Sequence, residues 1–153
     1  MMPGTLYETH VKTKNLETAI DFYKKLGMDL AHTIEERRVA FFWFDRNNKK
    51  GQMLGVWEVP DEDFRTSHFA FKVSYEGIVN AKDWLLERGI EPRDAFGLEP
   101  VEPMVHTWMP AAALYFHDPD GNSLEFLCVL PERKNAESDV LYLSEWEKLP
   151  LAD

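Results

Sequence analysis

Hydrophobic and polar positions alternate with a period of two along residues 7–13, placing Glu8, His10 and Lys12 on one side and Tyr7, Thr9 and Val11 on the other. That is the signature of a half-covered strand. The period then lengthens. Ile20, Tyr23 and Leu26 recur at helical spacing after Asn15, a suitable N-cap, and the run stops at Gly27. The same order returns later in the chain. His68, Ala70 and Lys72 alternate with Phe69, Phe71 and Val73, and a helical stretch over 78–89 carries Ala81, Leu85 and the stem of Arg88 on one face and ends at Gly89.

Each helix is followed by three runs that read as strands: 28–33, 39–44 and 52–57 in the first half, 91–95, 113–116 and 123–130 in the second. The last two are joined by Asp118-Pro119-Asp120-Gly121-Asn122, where proline presets the turn and glycine accepts a positive φ. Aligning the two halves on Gly51 and Gly121 sets Gly55 opposite Glu125. The pattern predicts an α+β fold of two tandem βαβββ modules, residues 1–63 and 64–130, forming a curved mixed-sheet cup with helices outside. Together they make one domain over 1–130. An acidic linker near 59–65 joins the modules, and a tail over 131–153 holds a short helix between Val140 and Lys148.

Composition narrows the class of partner. Acidic side chains outnumber basic ones 27 to 17, for a net charge of −10, so there is no basic field to recruit phosphates. Nucleic acid and anionic membrane surfaces are thereby disfavoured, and a small-molecule partner is expected. The one cysteine, Cys128, excludes an internal disulfide and any cysteine-based zinc cluster. It lies in an apolar run, as a buried small hydrophobe would. The first residues lack a charged segment followed by an apolar one, and no apolar stretch reaches membrane-spanning length. A cytoplasmic location is the expectation.

Candidate chemistry follows from strand parity. The helices should cover the apolar faces, so His10 and His68 should point into the cup. Glu125, flanked by Leu124 and Phe126, should face the same way. Two imidazoles and one carboxylate form a ligand set with open positions for a divalent metal. The loop over 100–110 carries three prolines, Met104, Trp108 and Met109, and reads as an apolar wall for a substrate. Trp57 is expected to add to that wall.

The pattern His10-Val11, Phe22-Tyr23, Leu26-Gly27, His68-Phe69-Ala70-Phe71 and Tyr115-Phe116-His117-Asp118-Pro119-Asp120-Gly121-Asn122-Ser123-Leu124-Glu125-Phe126 resembles the vicinal oxygen chelate superfamily. That group contains glyoxalase I, bleomycin-resistance proteins, fosfomycin-resistance enzymes and extradiol dioxygenases. The resemblance implies a divalent metal (Fe, Mn, Ni or Zn) on His10, His68 and Glu125, and a homodimer. Gly55 stands where glyoxalase I has a further ligand. The run from His106 through Tyr115 to Glu125 is similar to that of the extradiol enzymes, which makes His106 and Tyr115 candidates for orienting or transferring a proton. The upstream catalytic histidine pair of those enzymes has no counterpart in residues 47–52. The implied function is a metal-dependent glyoxalase- or dioxygenase-type enzyme binding neighbouring oxygens of a small substrate. The alternative is a metal-free protein that sequesters a drug, as bleomycin-resistance proteins do.

Overall fold

A computed structural model describes all residues, 1–153. The chain divides into two compact units, residues 1–68 with 118–122, and residues 69–117 with 123–153. The expected α+β class is observed, with sheets of four and five strands.

In the first unit, β1 (Glu8–Thr13) leads into α1 (Leu16–Lys25), followed by β2 (Asp29–Ile34), β3 (Val39–Trp43) and β4 (Met53–Glu58), in sheet order β1-β4-β3-β2. Asn15 caps α1 by accepting from the Thr18 N–H at 2.9 Å. Gly27, with φ of 96°, turns the chain off its end. The apolar stripe of α1 supplies Leu16, Ala19, Phe22 and Tyr23 to a core that also holds Val11, Phe42, Leu54 and Val56. His10, Glu8 and Lys12 remain exposed on the opposite side of β1, as the alternation predicts.

The second unit contains most of β5 (His68–Lys72), then α2 (Tyr75–Leu86), β6 (Met104–His106), β7 (Ala111–His117), β8 (Ser123–Val129), β9 (Val140–Tyr142) and the single-turn α3 (Leu143–Trp146). Its sheet order is β5-β8-β7-β6-β9. Ser74 caps α2 through the Gly77 N–H at 3.0 Å. Cys128 is buried and free, and burial pushes its thiol above the usual value.

Two expected elements differ. No strand forms over 91–95; there Arg93 donates its N–H to the Tyr115 carbonyl, and Ala95 pairs only with Leu98 around a turn at Phe96 and Gly97. The first strand after the helix of this module is instead Met104–His106, inside the segment expected to be a loop. Pro103 and Pro110 flank that strand rather than interrupt it, so its ladder is intact. The expected helix over 140–148 begins as strand β9, because β6 has an open edge that Val140–Tyr142 fills. Only one helical turn follows, and it seats Trp146 in the core at 1% exposure.

The Asp118–Asn122 turn forms as predicted, with Gly121 at φ of 89°. It is also a polar hub of the first unit. Asp118 Oδ1 accepts from the N–H groups of Asp120 and Asn122 at 3.0 and 2.9 Å, and its Oδ2 from the Tyr23 hydroxyl and the Asn122 amide at 2.8 and 2.7 Å. Asp120 accepts from Thr13 Oγ1 at 2.6 Å and from the Lys14 N–H at 2.9 Å. Asn122 donates to the Lys12 carbonyl at 3.0 Å and accepts from the Ser67 N–H at 2.8 Å.

Candidate functional site

Two polar clusters carry the candidate residues, one in each unit. In the second unit, β6, β7 and β8 bring three side chains into a line. Antiparallel pairing sets Tyr115 directly opposite Glu125, and the Tyr115 hydroxyl is hydrogen-bonded to that carboxylate. On the other side, His106 Nε2 lies 2.7 Å from the same hydroxyl. All three are buried, at 6%, 5% and 4% exposure for His106, Tyr115 and Glu125.

The direction of this chain follows from its ends. An ionised carboxylate only accepts, so the phenol proton points to Glu125, and His106 must then donate its Nε2–H to the phenol oxygen. Nδ1 of His106 is left with its lone pair. Burial lowers the pKa of His106 against the pull of the Glu125 charge, so the ring is neutral at pH 7. Burial, reinforced by that carboxylate, raises Tyr115 well above the ordinary phenol value.

The surroundings are apolar. Ala95, Met104 and Ala113 are buried with Tyr115, and Leu98 and Val140 pack against them. Arg93 lies over the Tyr115 ring at 5.1 Å and is held by a 2.7 Å bond to Ser123 Oγ. The Phe96 ring meets His106 edge-on at 4.8 Å and Tyr115 at 5.8 Å, although it is 63% exposed. Phe96 has φ of 52° and Gly97 of 76°. A bulky residue in the left-handed region is strained, and such strain gathers at functional sites. Trp108, expected as a substrate wall, is 76% exposed, and Met109 is half-buried. Phe96 is the ring that covers this pair. It lies one residue beyond the strand expected over 91–95, and no pattern in the sequence marks the turn that aims it.

In the first unit, the parallel pairing of β1 and β4 sets His10 opposite Gly55, next to Trp57 on the same face. The Trp57 indole N–H donates to His10 Nδ1 at 2.6 Å, and His10 Nε2 lies 2.5 Å from Glu8 Oε1. Phe41 meets the imidazole edge-on at 6.1 Å, and the Arg37 guanidinium covers Trp57 at 4.9 Å. Arg38 is occupied elsewhere: it bonds to Glu17 at 2.7 Å and to both oxygens of Glu58, at 3.0 and 2.9 Å. Those bonds and the Leu16 N–H hold the Glu58 carboxyl below its usual range. Glu58 is thus a structural anchor.

His68 is exposed at the start of β5. Within either unit, no group of three or more His, Cys, Asp or Glu side chains is gathered so that it could hold a metal ion. As held, both ring nitrogens of His10 are engaged, and its hydrogen bonding does not fit metal ligation.

The comparisons with known proteins agree with this architecture. Residues 8–126 match the model of the glyoxalase/bleomycin resistance protein/dioxygenase superfamily. The chain belongs to that superfamily. Among solved structures, it is similar to an integron cassette protein from the mobile metagenome of the Halifax Harbour sewage outfall, at 32% identity and a TM-score of 0.68, covering 82% of this chain and 98% of that one. A glyoxalase/bleomycin resistance protein/dioxygenase from Nocardioides aligns at 24% identity and a TM-score of 0.63, over 90% and 91% of the two chains. A lactoylglutathione lyase from Agrobacterium tumefaciens aligns at 19% identity and 0.62, over 82% and 94%. The last two likenesses show the shared superfamily fold. No helix is long and apolar enough to cross a membrane.

Proposed function

We propose that this chain is a small-molecule enzyme of the superfamily in which the His106–Tyr115–Glu125 chain handles a proton. The observation that carries the reading is the 2.7 Å bond between His106 and Tyr115 inside an apolar enclosure. The bare Nδ1 of His106 takes a proton from a carbon or oxygen next to a substrate carbonyl. The Nε2–H then passes to the phenol oxygen while the phenol proton passes to Glu125. The substrate proton therefore ends on His106 Nδ1, Glu125 ends protonated, and the substrate bears the negative charge. Return by the same route to a neighbouring atom completes an isomerisation or lyase step.

Each residue has a definite part. Glu125 orients the phenol and receives charge, Tyr115 keeps its proton until the transfer, and the lowered basicity of His106 holds it neutral and ready. Arg93 brings a fixed positive charge beside Tyr115. Phe96 excludes water when it lies over His106.

The test is a screen over α-keto aldehyde–thiol adducts, catechols and epoxide antibiotics, with wild type, His106→Ala and Tyr115→Phe. A general acid–base group contributes about 10²–10⁴-fold, so both variants should fall by at least about 10² on whichever class turns over. Variants that keep full rate would remove the reading. The metal-free sequestering function is the second reading, and the engagement of both His10 nitrogens favours it. Calorimetry with bleomycin on chelator-treated protein separates the two: tight binding without turnover of any class would support sequestration.

A further inference from the structure

His10 stands at the position that the superfamily resemblance assigns to a metal ligand, yet its surroundings specify a protonation pattern unsuited to that role. The imidazole lies within 24° of parallel to the Trp57 indole, with centroids 5.7 Å apart. The 2.6 Å contact runs from the indole N–H to Nδ1. An indole nitrogen can only donate, so Nδ1 must carry a lone pair and the ring proton must sit on Nε2. Nε2 in turn lies 2.5 Å from Glu8 Oε1, where that proton has an acceptor. Each bond requires the tautomer that the other requires.

Gly55 makes room for this arrangement. It is the register partner of His10, and a Cβ built there would lie 3.0 Å from both Cδ2 and Nε2 of the imidazole. The side chain absent from residue 55 is therefore what allows the ring to lie across β4 and reach Trp57.

We propose that Trp57 is a positioning residue that locks His10 as its neutral Nε2–H tautomer and so withholds it from divalent-metal coordination. A metal takes imidazole through a nitrogen lone pair. The lone pair here is on Nδ1, which the indole N–H occupies. Using Nε2 would move the ring proton to Nδ1, where it would meet the indole proton head-on. Either route breaks the Trp57 bond and takes Glu8 from its donor. The same lock leaves His10 able to act only as a shared hydrogen-bond group on the exposed face of β1 and β4. This inference does not rest on the proton chain of the other unit, and His106 variants leave it unaffected.

The experiment uses the full chain, labelled with ¹⁵N-histidine and treated with chelator, and a long-range ¹H–¹⁵N correlation spectrum near pH 7.5. His10→Gln assigns the signal. The expected wild-type spectrum has an unprotonated Nδ1 and a protonated Nε2 for His10. Trp57→Phe keeps an aromatic ring but loses the donor, so the His10 Nδ1 resonance should shift as its hydrogen bond is lost, while Glu8 still holds the proton on Nε2. In a Co²⁺ titration of the same samples, the His10 resonances of Trp57→Phe should respond at about tenfold lower Co²⁺ than wild type, the worth of one net hydrogen bond. A wild-type His10 carrying its proton on Nδ1 would overturn the proposal. So would Co²⁺ acting on His10 at equal concentrations in the two proteins. If Trp57→Phe does not fold, the wild-type tautomer alone decides the question.

Discussion

Removing the Asp118 carboxylate tests how much of the first unit hangs on one turn. At 6% exposure the group accepts four hydrogen bonds, from two backbone N–H groups, the Asn122 amide and the Tyr23 hydroxyl. Asp118→Ala leaves those four donors without their acceptor, two of them in side chains that are themselves buried. With about 1–3 kcal/mol for each buried donor left unsatisfied, and partial relief where water reaches the turn, the expected loss is about 4 kcal/mol. Tyr23→Phe removes one of the four bonds together with its donor, so its loss should be about 1–1.5 kcal/mol. For a chain of this size a kilocalorie moves the melting temperature by about 2–4 °C, which gives drops of about 8–16 °C and about 2–6 °C. Urea unfolding followed by tryptophan fluorescence, with calorimetry for the melting temperature, measures both. The reasoning fails if Asp118→Ala stays within about 1 kcal/mol of wild type, or if Tyr23→Phe costs as much as Asp118→Ala.

Other consequences follow from the same structure. His106 is less basic in the folded chain than when unfolded, so its neutral form contributes stability above the unfolded value near 6.5, and that contribution is lost as pH falls through the lowered folded value. Unfolding curves between pH 7 and 5 should therefore be steeper for wild type than for His106→Asn; equal slopes would contradict the assigned burial effect. Phe96→Asn places a residue tolerant of the left-handed region at a strained turn and should stabilise the fold by about 1 kcal/mol while speeding diethyl pyrocarbonate labelling of His106, read by peptide mass spectrometry. Trp146→Ala opens a large cavity under β6 and β9 and should cost about 3–5 kcal/mol in urea, whereas a dispensable tail would show almost no change.

What could be read without coordinates was what the chain encodes locally. The Asn15 cap, the turns at Gly27 and Gly89, the Asp118–Asn122 turn and the alternation that exposes His10 and His68 each depend on a few neighbouring residues, and each is present. What was missed depends on partners far along the chain. Met104–His106 becomes a strand because β7 and β9 flank it, and Val140–Tyr142 becomes one because β6 has a free edge. The turn at Phe96 replaces a strand because Arg93 is tied to the Tyr115 carbonyl. At the candidate site, the spacing of His106, Tyr115 and Glu125 anticipates their contact, since β7 and β8 pair residue for residue through the turn. The partner of His10 belongs with the misses: Trp57 shares a face with Gly55, two residues away, but it is the long-range register of β1 on β4 that sets the indole beside His10. The direction of the indole N–H needed coordinates.

Proton transfer to His106 has a direct readout that requires no product to form. Hydrogen exchange at the carbon next to the carbonyl can be followed by proton NMR in D₂O, using hydroxyacetone and the methylglyoxal–glutathione adduct as probes. Wild-type protein should catalyse exchange on at least one of them, with Tyr115→Phe and His106→Ala slower by at least about 10²-fold. Exchange at the same rate in all three proteins, or at the buffer rate in wild type, would contradict the account.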